Sequence, residues 1–306
     1  MQIKDQADGL RRLAQSGAVP APLAEPPPPE CSKTQARSLV FTSGKGGVGT
    51  SNLALNLAIA LGEYGQRVVL VDADFGLANI DLLCGLAPAL DLGSVLSGGL
   101  PLADAVVTGP AEIRVLPGAH AMRTLVDQLA EGPARLAAEL AELEAEADFL
   151  LVDAGSGLGA AIPILAQAAD QVVVVTTPEP TSLADAHAAF QRLRRNTPGA
   201  PAALRTLVNQ AASTAEAAET LARLTASSRE FMGLVVHPLG HVRADPRVPM
   251  AVRKRRPFLV AYPKAVASRC VRRLARTLIE ERQPRGRKPG FFNALGARWA
   301  LGQVVR

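Results

Sequence analysis

The chain has 306 residues, of which 48% are hydrophobic, enough apolar material for one large core. No run of about 18 uncharged apolar residues is present and residues 1–12 lack the apolar stretch of a signal peptide, so we expect neither a membrane span nor a secretory leader. Cys31, Cys84 and Cys270 have no CxxC spacing and predict free thiols in a reducing, cytoplasmic compartment.

The formal net charge of +5 is unevenly distributed. Residues 243–306 contain 17 Lys and Arg but three Asp and Glu, a net charge of +14, so residues 1–242 carry −9. A basic tail on an acidic body favours an anionic partner, either lipid or nucleic acid. The alternative is an ordinary solvated basic helix. Because the tail has no helix-turn-helix or aromatic-interleaved basic motif, DNA is the less favoured partner.

The first 37 residues divide into two segments. Residues 1–16 predict a short helix that is marginal on its own and would order on a partner. Residues 17–37 include the run Pro26–Pro29 and predict an extended, flexible linker.

Residues 38–282 alternate short apolar runs with helical stretches, which predicts a doubly wound, mainly parallel α/β sheet flanked by helices. The predicted strands are Leu39–Thr42, Arg67–Val71, Ile113–Leu116, Phe149–Val152, Val172–Thr176, Leu204–Val208 and Leu234–Pro238. The predicted helices are Ser51–Tyr64, Ala134–Ala147, Leu158–Ala168, Ser182–Arg195, Thr214–Ser228 and Val266–Glu281.

A glycine-rich loop follows the first strand and leads into a helix, the context of a phosphate-binding P-loop. Its residues, all predicted to bind nucleotide, are Gly44, Lys45, Gly46, Gly47, Val48, Gly49, Thr50 and Ser51. Backbone N–H groups and the helix N-terminus bind phosphates, and the Ser51 hydroxyl is placed for Mg²⁺. The usual pattern GxxxxGK[ST] has lysine where Thr50 stands. Threonine supplies one neutral donor, so roughly 2.7–4 kcal/mol of transition-state stabilisation is at risk. The alternative is a decayed loop that binds nothing.

The order Gly44-Lys45-Gly46-Gly47 resembles that of the MinD/ParA family of P-loop ATPases, whose loops carry a second, early lysine. The resemblance implies a MinD-like fold, ATP or ADP with Mg²⁺ as cofactors, and a homodimer formed with ATP. In the family this lysine crosses the dimer interface to the partner's nucleotide. Lys45 matches it, and we hypothesise that Lys45 partly replaces the missing lysine in catalysis.

Three carboxylates and one amide follow predicted strands. Asp72 and Asp74, two residues apart at a strand's carboxyl end, point the same way. The resemblance implies that Asp74 positions or activates water and that Asp72 lies near the metal. Asp153 ends another apolar strand, where P-loop proteins hold Mg²⁺ through water. Asn209 matches the family's adenine-reading asparagine. Each could otherwise be an ordinary turn residue.

The N-terminal segment is similar to the DQAxxLR segment of FlhG/FleN-type flagellar number regulators. The matching residues, predicted to bind a partner, are Asp5, Gln6, Ala7, Leu10 and Arg11. In that family the segment stimulates an FlhF-like GTPase. Members also contact flagellar switch-complex proteins and, in some cases, restrain a flagellar transcription activator.

Residues 283–290 predict a second, basic linker, and residues 291–306 resemble the family's membrane-targeting helix. Its predicted lipid-facing residues share one arc of the helix: Phe291, Phe292, Leu295 and Trp299. We therefore expect a cytoplasmic protein that binds the anionic inner face of the cell membrane peripherally. The competing interpretation is that this helix packs on the protein's own surface.

Together these features predict an ATP-binding switch protein of flagellar number and placement, with weak ATPase activity because of Thr50. Two alternatives stay open. One is a non-hydrolysing scaffold of the same fold, and the other is a pilus or secretion-apparatus placement ATPase.

Overall fold

The computed structural model describes residues 35–74, 78–98, 100–118, 133–156, 161–196, 202–281 and 289–300. The predicted partner-binding segment 1–16, nearly all of both predicted linkers and residues 301–306 lie outside these ranges. The predicted domain boundaries are therefore still predictions. None of the helices in the described part of the chain is long and apolar enough to cross a membrane.

Eight strands form one sheet in the order β3-β4-β2-β5-β1-β6-β7-β8. All neighbouring strands are parallel except β3, which pairs antiparallel with β4. This confirms the predicted doubly wound, mainly parallel sheet. The strands are β1 Arg37–Ser43, β2 Val68–Asp72, β3 Val107–Thr108, β4 Arg114–Leu116, β5 Phe149–Ser156, β6 Gln171–Thr176, β7 Ala203–Ala211 and β8 His237–Arg243.

Helices cover both faces of the sheet. They are α1 Thr50–Glu63, α2 Ile80–Cys84, α3 Leu92–Gly98, α4 Pro133–Ala145, α5 Ala161–Ala168, α6 Pro180–Asn196, α7 Thr214–Met232, α8 Arg247–Arg253, α9 Phe258–Ala261, α10 Val266–Glu280 and α11 Phe291–Ala300. One apolar cluster buries α1, α9 and α10 against one face, and a second buries α4 to α7 and α11 against the other. The strands are therefore buried on both faces, which explains their continuous apolar runs.

The last strand is where the sequence prediction was wrong. The predicted Leu234–Pro238 lies mostly before β8, because α7 continues to Met232 and then uses the next residues to end. The N–H groups of Gly233 and Leu234 bond to the carbonyls of Arg229 and Ser228, which satisfies the helix C-terminus. The strand can begin only after this turn.

The C-terminal helix α11 packs against α4 and α5. Three of its four predicted lipid-facing residues are buried there, with Phe291 1%, Phe292 5% and Leu295 3% exposed. The buried carboxylate of Glu144 accepts the N–H groups of Phe291 and Phe292 at 2.8 and 3.0 Å and so caps the helix. In this conformation the helix packs on the body, which was the competing interpretation.

Candidate functional site

The glycine loop connects β1, at the centre of the sheet, to the N-terminus of α1. Gly49 caps that helix with φ of +90°, and a Cβ there would lie 2.6 Å from Nδ2 of Asn209. Both the left-handed backbone and the close approach require glycine. The first turn of α1 therefore presents unpaired N–H groups beside the loop, as an anion site needs.

Thr50, which stands at the position of the usual lysine, is 6% exposed. Its hydroxyl donates to Oγ of Ser43 at 3.0 Å, and the Ser43 hydroxyl donates to the carbonyl of Lys45 at 2.9 Å. The Thr50 hydroxyl, which the sequence analysis considered as a donor to a phosphate, is thus hydrogen-bonded within the loop.

The side chain of Lys45 lies over the loop between β6 and α6. Its Nζ is 3.3 Å from a carboxylate oxygen of Glu179 and 3.4 Å from Oγ1 of Thr181. Because the Lys45 and Glu179 side chains are 43% and 66% exposed, their ion pair contributes at most about 1 kcal/mol. Lys45 is therefore easily released toward a more strongly charged partner.

Asp72 and Asp153 lie side by side at the ends of the paired strands β2 and β5. Burial raises the pKa of Asp153 to about 7, which the Ser51 hydroxyl opposes and the charge of Asp72 reinforces. One oxygen of Asp153 accepts the N–H of Gly155, and the buried Oδ2 has no hydrogen-bond partner among the residues the structure describes. An unsatisfied carboxylate oxygen beside a serine hydroxyl fits a hydrated Mg²⁺.

The carboxylate of Asp72 is more fully engaged. It accepts backbone N–H groups from Asp74, Asn79 and Ile80 at 2.9 to 3.2 Å, and so fixes the start of α2. Burial nevertheless raises the pKa of Asp72 to about 6. Its predicted role near the metal stays a prediction, and the structure places its charge beside Asp153.

A cavity of about 260 Å³ lies beside the glycine loop. It is lined in part by Gly46, Ser51, Asp74 and Ser156. Gly155 has φ of +67°, and a Cβ there would lie 2.4 Å from the carboxyl carbon of Asp74. The chain therefore brings Asp74, the predicted water-activating residue, to the same cavity as Ser51 and the predicted phosphate-binding loop. In the described part of the chain, no three His, Cys, Asp or Glu side chains could hold a metal by themselves.

A larger cavity of about 710 Å³ adjoins the first and shares Gly47, Gly49 and Asn52 with it. Asn209 lines this second cavity and donates Nδ2 to the carbonyl of Val48 at 2.8 Å, which ties β7 to the loop. The carboxamide oxygen of Asn209 is therefore the atom of this side chain that could accept a hydrogen bond from a nucleotide base.

Arg243 and Asp245 also line the larger cavity. The carboxylate of Asp245 accepts the N–H groups of Arg247, Val266 and Ala267, so it joins the starts of α8 and α10. Burial raises its pKa, but these three bonds together hold the pKa below the usual value.

The site residues not found from the sequence include Ser43, Asn79, Glu179 and Gln210. Ser43 sits at a strand end, where a hydroxyl carries no distinctive pattern. Gln210 has a positive φ of 58°, a strained conformation that no local signal predicts.

Comparison with known proteins agrees with this geometry. A family model described as an AAA domain matches residues 36–196, over half of the chain. The antiactivator FleN of Pseudomonas aeruginosa is 34% identical over 270 residues, covering 87% of this chain and 96% of FleN. The chain belongs to the FlhG/FleN group of the MinD/ParA family of P-loop ATPases. A second member of the group, the flagellum site-determining protein YlxH of Helicobacter pylori, is 28% identical over 82% of this chain and 84% of its own.

Solved structures of MinD proteins share the fold. The septum site-determining protein MinD of Pyrococcus horikoshii, complexed with Mg-ADP, has a TM-score of 0.64 at 25% identity and covers 79% of this chain and 96% of its own. The MinC:MinD cell division protein complex of Aquifex aeolicus gives 0.62 at 26% identity, over 83% and 100%. Nucleotide and Mg²⁺ are thus ligands in the family to which this FlhG/FleN-type chain belongs.

Proposed function

We propose that this chain is a nucleotide-controlled switch that binds ATP or ADP with Mg²⁺ and regulates flagellar number and placement. The observation that carries the proposal is the pair of joined cavities at one sheet edge. The smaller is lined by the glycine loop and Asp74, and the larger is lined by Asn209, so together they match the phosphate and base ends of one nucleotide. The flagellar role rests on the likeness to FleN and YlxH.

Each site residue has a distinct task in this proposal. The loop N–H groups from Gly46 to Ser51 bind the phosphates, and Asn209 positions the base. Ser51 and Asp153 would hold the Mg²⁺, which neutralises charge on the phosphates. Asp74 orients the attacking water and accepts its proton. The nucleotide's own negative charge favours release of Lys45 from Glu179.

ATP hydrolysis is the more specific part of the proposal, because Thr50 supplies no positive charge at the position of the usual lysine. Lys45 would supply that charge, either within the same chain or across a dimer formed with ATP. A comparison of wild type, Lys45→Ala and Thr50→Lys for binding of a fluorescent ATP tests this hypothesis. We expect Lys45→Ala to bind at least threefold more weakly. Unchanged binding would refute the role of Lys45.

A non-hydrolysing scaffold is the second candidate, and the internally bonded Thr50 hydroxyl favours it. A steady-state ATPase assay on wild type and Asp74→Ala separates the two. Turnover that Asp74→Ala abolishes identifies an enzyme, whereas equal phosphate release in both proteins identifies a scaffold with background activity. A pilus or secretion-apparatus role would leave flagellar counts unchanged when the gene is deleted.

Partner and membrane binding complete the proposal. The N-terminal residues Asp5 to Arg11 would engage an FlhF-like GTPase, and the dimer would contact switch-complex proteins and a transcription activator. Peripheral membrane binding requires α11 to leave its position on α4 and α5, because the buried faces of Phe291, Phe292 and Leu295 cannot contact the body and lipid at once. Two tails in a dimer would bind anionic membrane more tightly than one.

A further inference from the structure

Two buried hydroxyls connect the two ends of the phosphate loop. Thr50, at the start of α1, donates to Ser43, at the end of β1, and Ser43 donates to the carbonyl of Lys45 inside the loop. Ser43 is fully buried and Thr50 is 6% exposed, so water does not compete well for these bonds. We call Ser43 and Thr50 the loop brace.

The brace fixes the orientation of the peptide between Lys45 and Gly46. In a trans peptide the carbonyl and the following N–H point in opposite directions. With the Lys45 carbonyl held by Ser43, the N–H of Gly46 points away from Ser43, and Gly46 lines the smaller cavity. A flip of this peptide would cost little beside glycines and would turn a partially negative oxygen toward the phosphates.

We propose that Thr50 and Ser43 are positioning residues that keep the loop in its anion-binding conformation without the usual lysine. This inference rests on the proposed nucleotide binding. Thr50 stands at the position of the usual lysine, but as part of the loop brace it is neutral and acts only by orienting main-chain N–H groups. Because the Thr50 hydroxyl is bonded to Ser43, its loss should weaken ADP and ATP equally.

The test uses the full chain with Mg²⁺ and fluorescent ADP and ATP. Thr50→Val keeps the shape of the side chain and removes the hydroxyl, while Thr50→Ser keeps the hydroxyl and is the matched control. We expect Thr50→Val to weaken both nucleotides by about threefold to tenfold, as for one buried hydrogen bond, and Thr50→Ser to stay within about twofold of wild type. Ser43→Ala should weaken both at least as much, and the double variant should match Ser43→Ala, because both bonds pass through Ser43.

Hydrogen exchange of residues 44–49 in the nucleotide-free chain gives a readout that does not depend on binding. Faster exchange in Thr50→Val than in Thr50→Ser supports the brace, even if wild type binds no nucleotide and the proposed function fails. Unchanged exchange overturns the brace. So does a loss of affinity confined to ATP, which would show instead that the Thr50 hydroxyl contacts the terminal phosphate. Thermal unfolding of each variant separates local from global effects.

Discussion

The docked C-terminal helix makes membrane binding depend on a residue that would never touch lipid. Glu144, on α4, caps α11 through two N–H groups, whereas Phe291, Phe292 and Leu295 are used in both the docked and the lipid-bound states. Glu144→Ala should therefore weaken docking and leave the lipid-binding side chains intact. The variant isolates the competition between body and membrane.

The size of the expected shift between docked and released α11 follows from the hydrogen bonds of the cap. Burying the three apolar side chains gives roughly 5–8 kcal/mol as an upper estimate, but lipid offers them a similar gain. The two bonds to a buried carboxylate are lost on release, and one helix cap contributes about 2 kcal/mol. That corresponds to about a 30-fold shift toward the released helix. Affinity for vesicles rises by up to the same factor if the docked state dominates in wild type.

Co-sedimentation with vesicles containing anionic lipid measures the effect. Glu142→Ala removes the same charge from an exposed position on α4 and is the matched control. A chain ending at residue 289 should not bind through the helix. The reasoning fails if Glu144→Ala leaves vesicle affinity within twofold of wild type, or if Glu142→Ala raises it equally.

Three further changes test other contacts. Asn209→Ala loses the bond that ties β7 to the loop, so ADP affinity should fall about threefold to tenfold in a fluorescence titration; full affinity would mean the bond is dispensable. Gly155→Ala forces a methyl group onto Asp74 at positive φ, so ATP turnover should be lost and the unfolding temperature lowered, and normal turnover would contradict this packing. Glu281 accepts hydrogen bonds from Arg205, which hold its pKa below the usual 4.5 despite partial burial, so its stabilisation is present above that pH and is lost as the pH falls through the lowered pKa. Because the Glu281 side chain is 39% exposed and screened by solvent, urea unfolding should show Glu281→Gln about 0.5–1 kcal/mol less stable at pH 7 and closer to wild type at pH 4, whereas a constant difference would exclude an ionic origin.

The sheet and the phosphate loop were predictable because their signals are local. Six of the seven predicted strands overlap the observed strands almost fully, since buried parallel strands read as continuous apolar runs. The short helices α2, α3, α8 and α9 were missed, because four to seven residues are too few for a helical period. The position of α2 depends on Asp72, whose carboxylate lies seven or eight residues earlier in the chain.

Contacts between distant parts of the chain account for what the sequence could not provide. The order of glycines predicts the loop, but nothing local shows that Thr50 bonds to Ser43 rather than to a ligand. The amphipathic pattern of α11 predicts an apolar face equally well for lipid and for protein. Contacts with α4 and α5, including the cap from Glu144, 147 residues from Phe291, distinguish the docked state.

One strand and the next helix connect the two ends of the proposed switch. β5 ends at Ser156, which lines the smaller cavity, and the next helix in the chain is α5, one of the two helices on which α11 rests. The residue that lines the smaller cavity and the helix that supports α11 are therefore close neighbours in the chain. Communication between the two requires no movement of one domain against another.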